Sequence, residues 1–201
     1  MDGFARRKEH SKEDIRKAAW ELFSQFGVEK VSIADIARKA GVSQATIYNN
    51  FGSKEALARE FVTAAIDQLV NRVQDVLSPE KPYWDKITAF IQFISELLSE
   101  GRSSGIGGTV FSSSDDLLSD PEIKKIRDSA QEKMTNLLLE LVQEGKEQGQ
   151  IQSDLSEDAF RVYFSAFMDI FTGAQFRQRY HKDPKLFHDL SSLMVFGMSG
   201  Q

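Results

Sequence analysis

Between Ser32 and Lys54 of this 201-residue chain lies a run of side chains suited to directional hydrogen bonding. Ser43, Gln44, Thr46, Tyr48 and Asn49 fall within one short stretch that carries no charged residue. Glutamine and asparagine amides pair with adenine edges, threonine suits a thymine methyl or a phosphate, and a tyrosine hydroxyl suits a backbone phosphate. Lys54 follows at the expected start of a helix, where the peptide dipoles already favour an anion. With Ser32 at the other end, these seven residues are the candidate contacts to double-stranded DNA. The plainer alternative is a small helical hairpin whose polar side chains are only solvated.

The elements that must position them are legible from spacing. Ser32 with Asp35 three residues on has the form of a capping box, and Ile33, Ile36, Ala37 and Ala40 share one face, so a short helix is expected to Ala40. Gly41 ends it, since a sharp turn between helices needs a left-handed residue. Ser43 caps a second helix from Gln44 to about Asn49, with Ala45 and Ile47 expected to face inward. This is a helix-turn-helix pattern over about residues 31–50. Phe51 then plugs its base and Ser53 caps the next helix. Upstream, Ile15, Ala18, Ala19, Leu22, Phe23 and Phe26 mark an amphipathic helix from about Ser11 to Gln25, stopped by Gly27. Packed on the pair, it makes a three-helix head. Arg6-Arg7-Lys8 would precede that head as an arm along phosphates, or as a frayed terminus.

From about Ser11 to Phe61 the sequence resembles the DNA-binding domain of the TetR family of bacterial transcriptional regulators. The matching features are Ala18-Ala19, Leu22-Phe23, Gly27, Ile36-Ala37, Ala40-Gly41-Val42, Thr46-Ile47-Tyr48, Phe51 and Ser53-Lys54-Glu55-Ala56-Leu57. Asn50 departs from the pattern, because the family usually carries an aromatic residue or histidine there. The resemblance implies an all-α chain with a helix-turn-helix head over residues 8–68. It also implies a helical-bundle domain for effector binding and dimerisation over residues 69–201. Such a protein would bind a near-palindromic operator and most often act as a repressor released by a small ligand.

Bulk properties agree with that frame. The net charge is −5, but residues 1–60 carry 11 Lys+Arg against 9 Asp+Glu and the remainder 14 against 21, so the basic end is the helix-turn-helix end. An acidic second domain limits non-specific adhesion to DNA. The absence of cysteine excludes disulfides and thiolate chemistry, and three scattered histidines offer no metal motif, so neither metal nor cofactor is expected. The charged N-terminus holds no apolar leader and no run is long enough to cross a membrane, which leads to the expectation of a cytoplasmic protein. No nucleophile, base and acid arrangement points to catalysis. An enzyme or a protein-interaction module on a helical scaffold is the competing class.

Beyond the head, apolar periodicity from Leu57 to Leu77 predicts one long connector helix, broken at Pro79 and Pro82. Helices follow over Tyr83 to about Glu100, Pro121 to about Gln148, Ser156 to about Arg177, and Pro184 to about Met198. A Gly/Ser-rich loop at Gly101–Gly108 and a short helix or turn pair over Thr109–Leu118 lie between the first two. Phe90, Phe93, Phe111, Tyr163 and Phe167 should line an effector pocket for a largely apolar ligand. The last two helices are more apolar than one small domain can cover, so they should form a homodimer interface. Asp169, an acid amid that apolar run, can pair across the dimer, reach solvent, or meet a cationic ligand.

Overall fold

The computed structural model describes residues 3–78, 80–99, 120–172, 179, 183 and 185–199, the side chains of 3–7, 98–99, 171–172 and 194–199 excepted. Phe111 and the expected loop at Gly101–Gly108 and helix or turn pair at Thr109–Leu118 lie outside the described residues. Those described form eight helices and no strand. They are α1 (Gly3–Phe26), α2 (Ile33–Ala40), α3 (Gln44–Phe51), α4 (Lys54–Val76), α5 (Tyr83–Ser99), α6 (Pro121–Glu147), α7 (Glu157–Thr172) and α8 (Lys185–Ser199). None is long and apolar enough to cross a membrane.

Helix α1 begins eight residues before the expected start, so Arg6-Arg7-Lys8 is helical rather than an extended arm. The cause is local: nothing after Gly3 breaks a helix, and Ala, Arg, Lys and Glu all favour one. The chain divides into two compact units, Met1–Leu69 with Glu100–Asp128, and Val70–Ser99 with Ser129–Gln201.

In the first unit Ile15, Phe23, Ile36, Ile47, Leu57 and Ala58 are essentially without solvent contact. Phe61 meets Trp20 edge-on at 4.9 Å and Phe23 at 5.2 Å, which binds α4 to α1. Two ion pairs add registry at the surface, Lys39 to Glu21 at 2.7 Å between α2 and α1, and Arg16 to Glu60 at 2.8 Å between α1 and α4. The Arg16 guanidinium also lies 5.6 Å from the centre of the Phe51 ring, so one side chain of α1 holds the end of α3.

The second unit is cored by Tyr83, Phe90, Phe93, Leu138, Leu141, Phe160, Phe164 and Phe187. Phe160 and Phe164 stack at 5.9 Å along α7. Phe187 of α8 is packed by Ile91 and Ile94 of α5 and Phe167 of α7. Helix α6 ends where Gly149 takes a φ of +67° and the Gly145 carbonyl accepts from the N–H groups of Gln150 (2.7 Å) and Ile151 (3.1 Å). Tyr83 presses on that same helix end. A Cβ at Gly145 would stand 2.6 Å from its hydroxyl oxygen, so the position requires a hydrogen there.

Candidate nucleic-acid interface

Helix α2 is fixed at both ends. The Ser32 hydroxyl accepts from the Asp35 N–H at 3.2 Å and donates to the Asp35 carboxylate, which also accepts from the Ser32 N–H at 3.1 Å. These bonds to Ser32, with a smaller contribution from nearby Arg38, hold the Asp35 carboxyl below its ordinary pKa. At the other end Gly41 adopts φ +67° and the Val42 N–H closes on the Ala37 carbonyl at 3.0 Å. Ala37 is buried in that turn, where a larger side chain would separate the two helices.

Helix α3 starts on Ser43, whose hydroxyl accepts from the Thr46 N–H at 3.1 Å and shares a hydrogen bond with the Thr46 hydroxyl at 2.8 Å. Ile47 is its buried anchor. Ala45 is exposed rather than inward, because a residue two positions from the anchor falls on the far side of a helix. Gln44, Tyr48 and Asn49 are exposed as well, with Tyr48 retaining 49% of its accessible surface. Asn50 turns back on the helix, donating to the Thr46 carbonyl at 2.9 Å.

The seven candidate residues thus separate by geometry. Ser32, Ser43 and Thr46 commit their hydroxyls to helix ends, while Gln44, Tyr48 and Asn49, exposed on α3, have no side-chain hydrogen bond among the described residues. Lys54 opens α4 beside the Ser53 cap, whose hydroxyl accepts from the Ala56 N–H at 3.1 Å. Its ammonium reaches the Glu29 carbonyl at only 3.4 Å, a weak contact that an anion can replace. Arg38, in the last turn of α2, was not among the sequence candidates. Its side chain keeps 79% of its accessible surface while paired with Asp35, and its signal was a basic residue at a helix C-terminus beside the turn.

The aromatic residues of the second unit are dispersed rather than gathered in one pocket. Phe90 lines a cavity of about 30 Å³ with Tyr83, Ile87, Leu138, Phe160 and Phe164. Phe93 instead lies beneath the Arg72 guanidinium at 4.6 Å. Tyr163 is half exposed, stacked on Phe167 at 6.4 Å, and Phe167 packs toward Phe187. Asp169 sits at an exposed position of α7. Tyr83, Ile87 and Leu138 were missed as lining residues, although Tyr83 and Ile87 share the helical face of Phe90 at three-four spacing.

Residues 15–61 match the family profile of bacterial regulatory proteins, tetR family. Those residues are a TetR-type DNA-binding segment. Among curated proteins, an uncharacterized HTH-type transcriptional regulator of Bacillus subtilis, YvdT, is 37% identical over 83 residues, 39% of this chain and 41% of that protein. The HTH-type transcriptional repressor KstR2 of Mycolicibacterium smegmatis is 22% identical over 73% of this chain and 70% of its own. The match to the Bacillus protein therefore spans well under half of that relative's length. Solved structures share the fold along most of the chain. Reduced Escherichia coli NemR superposes with a TM-score of 0.70 at 17% identity, covering 94% of this chain and 96% of its own. Bacillus subtilis FadR in complex with stearoyl-CoA does so with a TM-score of 0.63 at 20% identity, covering 93% and 99%.

Proposed function

We propose that the protein is a DNA-binding transcription regulator, a repressor, and not an enzyme. Residues 8–68 form its DNA-binding head and residues 69–201 its effector-binding and dimerisation domain. The observation that carries this reading is the exposed face of α3. A helix held by a capped start and a buried Ile47 presents Gln44, Tyr48 and Asn49, with Lys54 at the next helix start for a phosphate. Such a surface reads bases in a major groove while cations fix its register.

The operator is near-palindromic because the protein works as a homodimer through its last two helices. Val162 and Ile170 of α7 keep 72% and 52% of their accessible surface and Leu193 of α8 keeps 69%, apolar area that a second copy would cover. Two heads then meet half-sites about one helical turn, roughly 34 Å, apart.

The effector is a small, largely apolar molecule bound in the second domain. Bacillus subtilis FadR has been solved in complex with stearoyl-CoA, which carries a long apolar acyl chain, and Mycobacterium tuberculosis KstR2 is a ketosteroid transcriptional regulator. The cavity at Phe90 has room only for water-sized occupants as it stands. A ligand entering there must spread α5, α6 and α7. Binding then favours one arrangement of helices over another, and such differential affinity is what lets an effector change operator binding. Helices α4 and α6 each contribute residues to both compact units, so they are the candidate transmitters.

The experiment is a gel shift with duplex DNA from upstream of the protein's own gene, beside a scrambled duplex of equal length. Preferential, salt-dependent retardation is the expected result, and equal affinity for both duplexes would overturn the reading. Sedimentation of the wild type and of Val162→Glu tests assembly. The wild type should be a dimer at micromolar concentration and the variant should dissociate.

A further inference from the structure

The second unit holds a charged group that the proposed switch leaves unused. Lys86 of α5 is 2% exposed, on the helical face that also carries Tyr83 and Phe90. Its ammonium lies 2.6 Å from Glu144 Oε2 of α6, which is its one hydrogen-bond partner among the described residues. An ammonium has three donors, and idle donors on a buried charge cost more than those on a neutral group. Glu144 has little further to give, since its Oε1 accepts from Gln148 at 3.1 Å.

What borders Lys86 is space. A cavity of about 280 Å³ is lined by Gln74 of α4 and Leu77 just beyond its end, Lys86 of α5, and Leu137, Glu140, Leu141 and Glu144 of α6. Its wall mixes three leucines with four polar or charged side chains, so it suits an amphiphilic occupant with an aliphatic part beside polar groups. One lysine against two glutamates leaves the lining one negative charge in excess, so a free anion is disfavoured. Glu140 has no ion-pair partner among the described residues. A carbonyl oxygen answers the idle donors of Lys86, and a protonated amine answers Glu140.

We propose that this cavity is a ligand site separate from the one at Phe90, taking a small aliphatic molecule that carries an amide or carbonyl oxygen and a protonated amine. The oxygen accepts from Lys86, the aliphatic part rests on Leu77 and Leu137, and the amine faces Glu140. The site belongs to the second unit alone, so it stands or falls without reference to DNA.

The test uses the full chain, without DNA, labelled at leucine methyls for NMR. L-leucinamide near neutral pH carries both groups, isocaproamide only the neutral amide, and isocaproate an anion. Leucinamide should move the methyl signals of Leu77 and Leu137, which line this cavity and not the one at Phe90. Isocaproamide should bind about two- to fivefold more weakly, the range of a partly exposed ion pair, and isocaproate more weakly still. Glu140→Gln, a surface change, should reduce leucinamide to the level of isocaproamide and leave isocaproamide unchanged. Lys86→Met should remove binding of both, its fold checked by circular dichroism. If that variant does not fold, the ranking of the three probes and the Glu140→Gln result decide the matter. Tightest binding by isocaproate overturns the proposal. So does the absence of any leucine methyl shift with all three probes, which would mean that water alone satisfies Lys86.

Discussion

Arg59 Nη1 lies 2.8 Å from Asp120 Oδ2, an ion pair that joins α4 to the residue immediately before α6. The other oxygen of the same carboxylate accepts from the N–H groups of Glu122 (2.9 Å) and Ile123 (3.4 Å), so Asp120 is also the N-cap of α6. Ile123, one turn in, is wholly buried. One side chain therefore starts a 27-residue helix and fastens it to the connector.

That double duty predicts a pH dependence. The hydrogen bond from Arg59, ahead of the cap N–H groups, holds the Asp120 carboxyl below its ordinary pKa. A depressed carboxylate stabilises the fold above its unfolded value, about 3.9, and that stabilisation is lost as pH falls through the folded value. Asp120→Asn keeps a capping side chain and removes the charge, so its melting temperature should fall less between neutral pH and about pH 3 than that of the wild type. Asp120→Ala should melt a few degrees lower even at neutral pH. Circular dichroism melts across pH check this, and identical acid sensitivity of the wild type and Asp120→Asn would show that the pair contributes nothing.

Capping and reading should separate within α3. Ser43→Ala removes the bond to the Thr46 N–H and should destabilise the head by about 1 kcal/mol in a urea melt. Gln44→Ala, on the exposed side, should leave stability within about 0.5 kcal/mol. In operator binding Gln44→Ala should lose roughly 1–3 kcal/mol and relax base preference at one position. A Gln44→Ala variant with unchanged operator affinity would remove this residue from the reading surface.

Lys54 predicts a different signature. Its ammonium is held only by the long contact to the Glu29 carbonyl at 3.4 Å, so Lys54→Ala should cost little stability. Affinity should fall to a similar degree for operator and random duplex, and the slope of log K against log salt should shrink by about 0.9 for one lost phosphate contact. Titrations at several salt concentrations measure that slope.

Gly145 offers a test of packing. A methyl there would stand 2.6 Å from the Tyr83 hydroxyl oxygen and 2.8 Å from the ring carbon bearing it. Gly145→Ala should therefore destabilise the second unit by about 1–3 kcal/mol, the usual cost of overpacking. Adding Tyr83→Phe should recover only part, because ring carbons would still clash. Tyr83 is also kept protonated, its pKa pushed up to about 12 by burial and then by the nearby Glu144. Absorbance near the phenolate band should show this tyrosine titrating last, or only with unfolding.

Local chemistry made much of the head legible. The Ser32–Asp35 spacing, the glycine at 41 and the serine at 43 each act within a few residues, and the capping box, left-handed turn and second cap appear where that spacing places them. The extension of α1 back to Gly3 was equally local, written in residues that merely lack a breaker. Ala45 was misread because a two-residue offset from Ile47 was treated as the same face, which a helix of 3.6 residues per turn does not allow.

By itself the sequence determined the all-helical class, the TetR-type helix-turn-helix with its caps and the long connector, because short-range hydrogen bonding and apolar periodicity are written along the chain. Tertiary structure alone decided which side chains meet. Whether Phe90 faces a cavity, Phe93 faces Arg72 or Phe167 faces Phe187 depends on the rotation of whole helices against one another, and the periodic stripe of any one helix fits several such rotations. The same holds for Lys86, a lysine on an apolar stripe, and for Asp120, a capping residue by type. Their partners Glu144 and Arg59 stand 58 and 61 positions away, a separation that only the packed fold closes.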